Sequence, residues 1–107
     1  MIYVASPYSH EKYNVRFQRY VKTLEYTNYL IRHNRPAFSP IVYGYFFEHF
    51  CGANGSFESW IEFNDSILKR CDEMHVLMLD GWDKSRGIAH EKRLAETLNL
   101  PITHIAP

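Results

Sequence analysis

The chain has 107 residues and a mass of 12.7 kDa, room for one domain, and its 46% of apolar residues suffices for one small core. Lys and Arg number 12, as do Asp and Glu, so the formal net charge is zero, which excludes a strongly basic binder of nucleic-acid polymers. A charged fraction of 22% excludes a disordered chain, no apolar run approaches the ~20 residues of a membrane span, and two cysteines, Cys51 and Cys71, are too few for a disulfide scaffold.

The start, Met1-Ile2-Tyr3-Val4, carries no basic n-region, so no signal peptide is expected; a cytoplasmic protein with two free thiols is. Residues 1–5 read as a short buried strand, broken by Ser6-Pro7-Tyr8-Ser9. From His10 to His33 the chain reads as a long helix, with Phe17, Val21, Leu24 and Ile31 on one face, stopped by Asn34-Arg35-Pro36. Ala37-Phe38-Ser39 is a second short strand, ended by Pro40. Residues 41–56, crowded with Tyr43, Tyr45, Phe46, Phe47 and Phe50, read as a loop holding at most one helical turn. A second helix follows, capped by Ser56, with Phe57, Trp60, Ile61, Asn64, Leu68 and Cys71 on its face. Glu73 to Leu79 is nearly continuous in apolar residues, as a central strand buried on both faces would be. Residues 80–87 are a loop, a third helix runs to Leu98, and Leu100 to Ile105 forms a last strand.

Strands alternate with helices throughout residues 1–107, and nothing reads as a linker or repeat. The expected fold is therefore one α/β domain, a parallel sheet with right-handed crossovers and flanking helices, of the flavodoxin or Rossmann kind. Such sheets bind ligands beyond the carboxyl ends of their strands. Residues 6–10, 39–45 and 80–87 lie there.

Metal and cofactor motifs are missing. The six histidines form no four-ligand zinc pattern, His90-Glu91 is not followed by the second histidine of HExxH, and there is neither a GxxxxGK[ST] nor a GxGxxG run. No metal and no cofactor are expected.

The sharpest signal is a misplaced carboxylate. Ile88, position 91, Ala95 and Leu98 form the apolar stripe of the last helix, and position 91 is Glu. Either Glu91 sits exposed at the edge of the stripe or it is a desolvated acid held by donors near a helix start. Asp65, between Ile61 and Leu68, repeats the pattern; the alternative is a surface pair with Lys69. Two acids aimed inward suit acid–base and nucleophilic work at a sugar carbon. Tyr3 is a polar group in an otherwise apolar strand, its hydroxyl either wet or functional. Ser85 stands just before a helix with Gly87 two places on, a helix cap that also suits an anion.

These pieces resemble the nucleoside 2-deoxyribosyltransferase-like superfamily. The matching segments are Ile2-Tyr3-Val4-Ala5-Ser6, Asn64-Asp65 with Cys71-Asp72, and Ser85-x-Gly87-x-x-x-Glu91. A small branch with IYxASPYS, Phe-Ser-Pro-Ile and VLxLDGWxxSxG is the nearest likeness, matched at 2–9, 38–41 and 76–87. The resemblance implies that Glu91 is the nucleophile at C1′, that Tyr3 positions it, and that Asp65 helps protonate the departing base. It further implies that Ser6, Tyr8, Ser9, Ser85 and Gly87 contact substrate. Ser85 stands where the transferases carry Asp and the nucleoside 5′-monophosphate hydrolases carry Ser. Two features depart from the pattern: the loop at 6–10 lacks Arg, and the chain stops at Pro107, without the tail by which transferases reach a neighbouring subunit.

The expected function is an N-glycosidase acting on a nucleoside 5′-monophosphate or a (deoxy)nucleoside. The alternatives are a deoxyribosyltransferase, a nucleotide-binding module without turnover, and an enzyme cleaving an NAD-like substrate. The expected partner is a small nucleotide or nucleoside, with no nucleic-acid polymer and no membrane. Zero net charge and 16% aromatic residues point to a homodimer or larger homo-oligomer.

Overall fold

In the computed structural model, which describes residues 1–52 and 57–107 (the backbone alone for 57–59), four strands form one sheet. They are β1 (Ile2–Ala5), β2 (Ala37–Phe38), β3 (Glu73–Leu77) and β4 (Ile102–Ile105), all parallel, in the order β2-β1-β3-β4. The helices are α1 (Tyr13–Arg32), α2 (Pro40–Phe50), α3 (Phe57–Leu68) and α4 (Arg86–Thr97), with a short 3₁₀ turn at Trp82–Lys84. The expected parallel α/β sheet with flanking helices is the fold of this chain.

Strand alternation sorts two cores. Ile2 and Val4 of β1 pack with Leu30 of α1 on one side. Tyr3 and Ala5 point the other way, into a cluster with Leu68, Met74, Val76, Ile88 and Ala95. β3 lies between β1 and β4, and Met74 to Leu77 are buried, as its apolar run requires. Two helix ends use the same stop. Asn34 and Asn99 both take φ of 59°, and the residues after them, Arg35 and Leu100, bond back to Leu30 and Ala95 carbonyls at 2.9 Å.

Two expectations are overturned. The stretch expected as a loop holds an eleven-residue helix, α2. Ser39 caps it, accepting from the Val42 N–H at 3.1 Å, and Pro40 occupies its first turn with a preset φ. Tyr43, Phe46, Phe47 and Phe50 stand at i, i+3, i+4 and i+7, a helical stripe, although Tyr43, Phe46 and Phe50 are exposed rather than packed in the core. The face of α1 is the second correction. Phe17, Leu24 and Ile31 are exposed, whereas Thr23, Thr27 and Leu30 are the buried residues. The threonines tolerate burial because their hydroxyls donate to carbonyls one turn back, Thr23 to Arg19 at 2.8 Å and Thr27 to Thr23 at 2.7 Å. The cap expected at Ser56 lies outside the described residues, as does the Phe57 side chain; Cys71, expected on the face of α3, follows its end and is buried.

β1 is flanked by β2 on one side and β3 on the other, so the chain reverses direction across the sheet between β1 and β3. Their carboxyl ends are where an open α/β sheet splits to admit a ligand. Among the described residues, no helix is long and apolar enough to cross a membrane.

Candidate active site

A cleft of about 500 Å³ opens at that switch point, within the size range of small-molecule sites. Its floor is the loop after β1 (Ser6 to Ser9), and one wall is the segment after β3 with the start of α4 (Gly81 and Lys84 to Gly87). α2 contributes Gly44, Tyr45 and Glu48, and α3 contributes Trp60, Ile61, Asn64 and Asp65. His90 and Glu91 complete it from α4.

Glu91 is buried, 8% exposed, on the stripe it shares with Ile88 and Ala95. That packing leaves its carboxyl facing the sheet, where Tyr3 meets it. Tyr3 is fully buried and its hydroxyl donates a short hydrogen bond to Glu91 Oε2. The two residues lie 88 apart in sequence; the join exists because α4 packs Ile88 and Ala95 into the core cluster to which Tyr3 also points. Desolvation raises the Glu91 carboxyl from 4.5 to about 8, the Tyr3 bond opposes this, and the nearby Asp65 charge adds to it. Burial first, then Glu91, pushes the Tyr3 phenol well above its usual value. Tyr3 therefore stays a hydrogen-bond donor across the physiological range.

Asp65 projects from α3 into the same cleft, its side chain 24% exposed. Its partner is not Lys69 but His90, whose Nε2 lies 2.9 and 3.0 Å from the two carboxylate oxygens. Ser85 caps α4, its Oγ accepting from the Ile88 N–H at 3.2 Å. It also lines the cleft, so cap and anion site are compatible at one residue. The N–H groups of the first helical turn have no partner within the helix and point toward that end. Gly87 lies in that turn and lines the cleft.

Ser6, Tyr8 and Ser9 border the cleft as expected. Ser6 is buried, its hydroxyl 3.0 Å from that of Thr23. All the expected site residues are thus gathered here, with Tyr3 reaching the cleft through Glu91.

Residues 1–106 match the family model described as Domain of unknown function (DUF1937). The chain belongs to that family. No curated protein matches it.

Several cleft residues of this DUF1937 domain escaped the sequence reading. Arg19 of α1 supplies a guanidinium where the loop after β1 has no Arg. It donates to the Ser9 and Asp80 carbonyls at 2.9 Å each and to Tyr8 at 3.4 Å, tying the two loops that flank the switch point. Gly81 makes room for it: φ is 88°, and a Cβ there would stand 2.7 Å from Arg19 Nη2. The signal was the spacing of Arg19, Thr23, Thr27 and Leu30, a mostly polar stripe that apolar counting passes over. Trp60 and Tyr45 give the cleft aromatic walls; Tyr45 stacks on Tyr20 with ring centroids 3.8 Å apart. Tyr45 belongs to the helix read as a loop, so its position was hidden. His90 carries no signal in the sequence beyond the start of an incomplete HExxH motif.

Among the described residues, no three His, Cys, Asp or Glu side chains gather where they could hold a metal ion. The cleft residues instead offer a buried carboxyl with a dedicated donor, a second carboxylate bonded to an imidazole, aromatic walls, and a capped helix start.

Proposed function

We propose that this protein is an N-glycosidase that hydrolyses the base–sugar bond of a nucleoside 5′-monophosphate or a (deoxy)nucleoside. The observation that carries the reading is the Tyr3–Glu91 join: a carboxyl buried against the sheet, held by one donor, opening onto a cleft with Asp65 on its rim. Breaking an N-glycosidic bond develops positive charge at C1′. A fixed carboxylate stabilises that charge and bonds to the carbon, giving a glycosyl ester. Tyr3 orients the attacking oxygen. Asp65, which lines the same cleft, would pass a proton to the leaving base. Trp60 and Tyr45 suit the faces of a base, and Ser85 with the first turn of α4 suits the phosphate or hydroxyl at the far end of the sugar.

The raised Glu91 favours one alternative, a module that binds a nucleotide without turnover, because a neutral carboxyl at pH 7 is no nucleophile. Charge developing at C1′ would draw Glu91 into its ionised form, and the two readings part on turnover.

The reading extends to a cytoplasmic enzyme acting as a homodimer or larger assembly. Exposed Phe17, Leu24 and Ile31 on α1, and Phe46 and Phe50 on α2, support the assembly.

The test is a chromatographic screen of nucleosides, nucleotides and NAD for released free base, with and without an acceptor base. The expected result is base release without an acceptor, lost about a thousandfold in Glu91→Gln while substrate still binds. Binding without release from any substrate would select the non-catalytic module.

A further inference from the structure

We infer that His90 is the proton source of this site: it positions Asp65 and recharges it with the proton that the leaving base takes. The inference rests on the glycosidase reading and deepens it.

Neighbouring residues on a helix point about 100° apart, so a residue beside Glu91 has no geometric reason to share its task. Yet both His90 and Glu91 line the cleft, because α3 lies across α4 and carries Asp65 to meet the imidazole. His90 Nε2 is bonded to both oxygens of Asp65, which fixes the carboxylate's plane and keeps a proton within hydrogen-bond reach of it. Side-chain exposures of 29% for His90 and 24% for Asp65 leave the pair open to the cleft and to water.

The chemistry needs such a source. A nucleobase departs poorly as an anion. The donor must therefore hold a proton near neutral pH and also regain it each turn. Aspartic acid alone is a weak candidate for the first requirement, whereas imidazole is the side chain that ordinarily titrates in that range. In the forward step the C1′–N bond breaks, its electron pair stays on the base nitrogen, and Asp65 passes a proton to that base. His90 Nε2 returns a proton to Asp65, and an oxygen of Glu91 in its ionised, carboxylate form bonds to C1′. In the second step water attacks C1′, Glu91 leaves as carboxylate, and the proton from water returns through Asp65 to His90. One water is consumed and no proton is gained or lost overall.

The charged groups that share a cleft lining with His90 are Asp65 from α3, Glu91, Arg86 and Arg93 from its own helix, Arg19 from α1, Glu48 from α2, and Lys84.

The experiment compares wild type, His90→Gln, His90→Ala and Asp65→Asn on two probes: the nucleotide or nucleoside that releases most base, and 4-nitrophenyl furanosides of ribose and 2-deoxyribose. The glutamine amide can still donate one hydrogen bond to Asp65 but supplies no proton. Nitrophenolate leaves without one. The expected result for both His90 variants is a kcat loss of roughly a hundredfold or more on the nucleobase substrate with KM nearly kept, and at most a fewfold loss on the furanoside. Asp65→Asn should show the same leaving-group dependence, and the double variant should lose little more than either single one. Full rescue by glutamine would overturn the proton-source role and leave His90 holding Asp65 in place only. Equal losses on both probes would also overturn it. Failure of wild type to cleave either probe would instead overturn the glycosidase reading, and this inference with it.

Discussion

Helices α1 and α4 follow β1 and β3, begin at the same end of the sheet, and each aims a charged side chain at the cleft, yet their inward stripes are built differently. In α4 the stripe is Ile88, Glu91 and Ala95, an apolar row with one acid in it. In α1 the buried residues are Thr23, Thr27 and Leu30, in line with Arg19 at the cleft, while the apolar row faces outward. The lesson concerns what burial demands. A carboxyl on an inward stripe needs a donor from another element, and Tyr3 supplies it. A threonine finds its acceptor in its own helix, so it goes inside without help from the sheet.

The sharpest way to test that contrast is pH. Glu91 holds its proton up to about 8 in the folded chain but loses it near 4.5 when unfolded. The folded state thus binds more protons between these values, and stability falls as pH rises from about 4.5 to 8, then levels. Glu91→Gln should lack that slope. Denaturant melts at pH 5, 7 and 9 should show the variant gaining on wild type, by at most about 5 kcal/mol at the top of the window. Parallel curves for the two proteins would mean that the carboxyl is not desolvated. The same ionisation should govern the rate with a leaving group that needs no proton. Furanoside cleavage is expected to rise through about pH 8 and then flatten.

Next in size is the α1 core. Leu30 is 1% exposed between α1 and β1. Leu30→Ala should remove roughly 2–4 kcal/mol of stability by cavity formation, read as a lower denaturant midpoint. Were the outward stripe the packed one, this substitution would be nearly silent.

Gly81→Ala should cost about 1–2 kcal/mol, since φ of 88° disfavours any Cβ and the methyl would press on the Arg19 guanidinium. Base release should fall in the same variant, because Arg19 ties the two loops that frame the cleft. Unchanged thermal stability would show that Arg19 moves aside freely.

The smallest effects separate the two faces of α1. Thr27→Val keeps the buried shape and should stay within about 1 kcal/mol of wild type. Leu24→Ser, at a residue 40% exposed, should change the stability of the single chain by less than about 0.5 kcal/mol. If copies associate through the outward stripe, the same variant should shift particle size in light scattering toward 12.7 kDa.

Much of the site was legible for a local reason. Glu91 broke a pattern that its own helix set, Ser85 stood at a helix start, and Tyr3 interrupted an apolar strand. Each departure is visible within a dozen residues. Arg19, Tyr45 and His90 were not legible, because each matters only through a neighbour distant in sequence. Arg19 spans to Asp80, His90 to Asp65, and Tyr45 lies off the aromatic stripe of its own helix and stacks on Tyr20 of α1.

Alternating strands and helices, an apolar central strand and the punctuation at Asn34-Arg35-Pro36 and Pro40 determined a parallel α/β sheet from sequence alone. Hydrophobic period and backbone stops are local properties, and they leave few other ways to pair the strands. Which side of α1 turns inward was decided only in three dimensions. An amphipathic pattern states which residues prefer to leave water, but threonines bonded to their own backbone leave at little cost. The face of α1 that packs on Ile2 and Val4 is the one that carries Leu30 beside those threonines. The pairing of Tyr3 with Glu91, and of Asp65 with His90, was settled the same way: no local propensity encodes a contact between β1 and α4 or between α3 and α4, and only packing brings those side chains within a hydrogen bond's length.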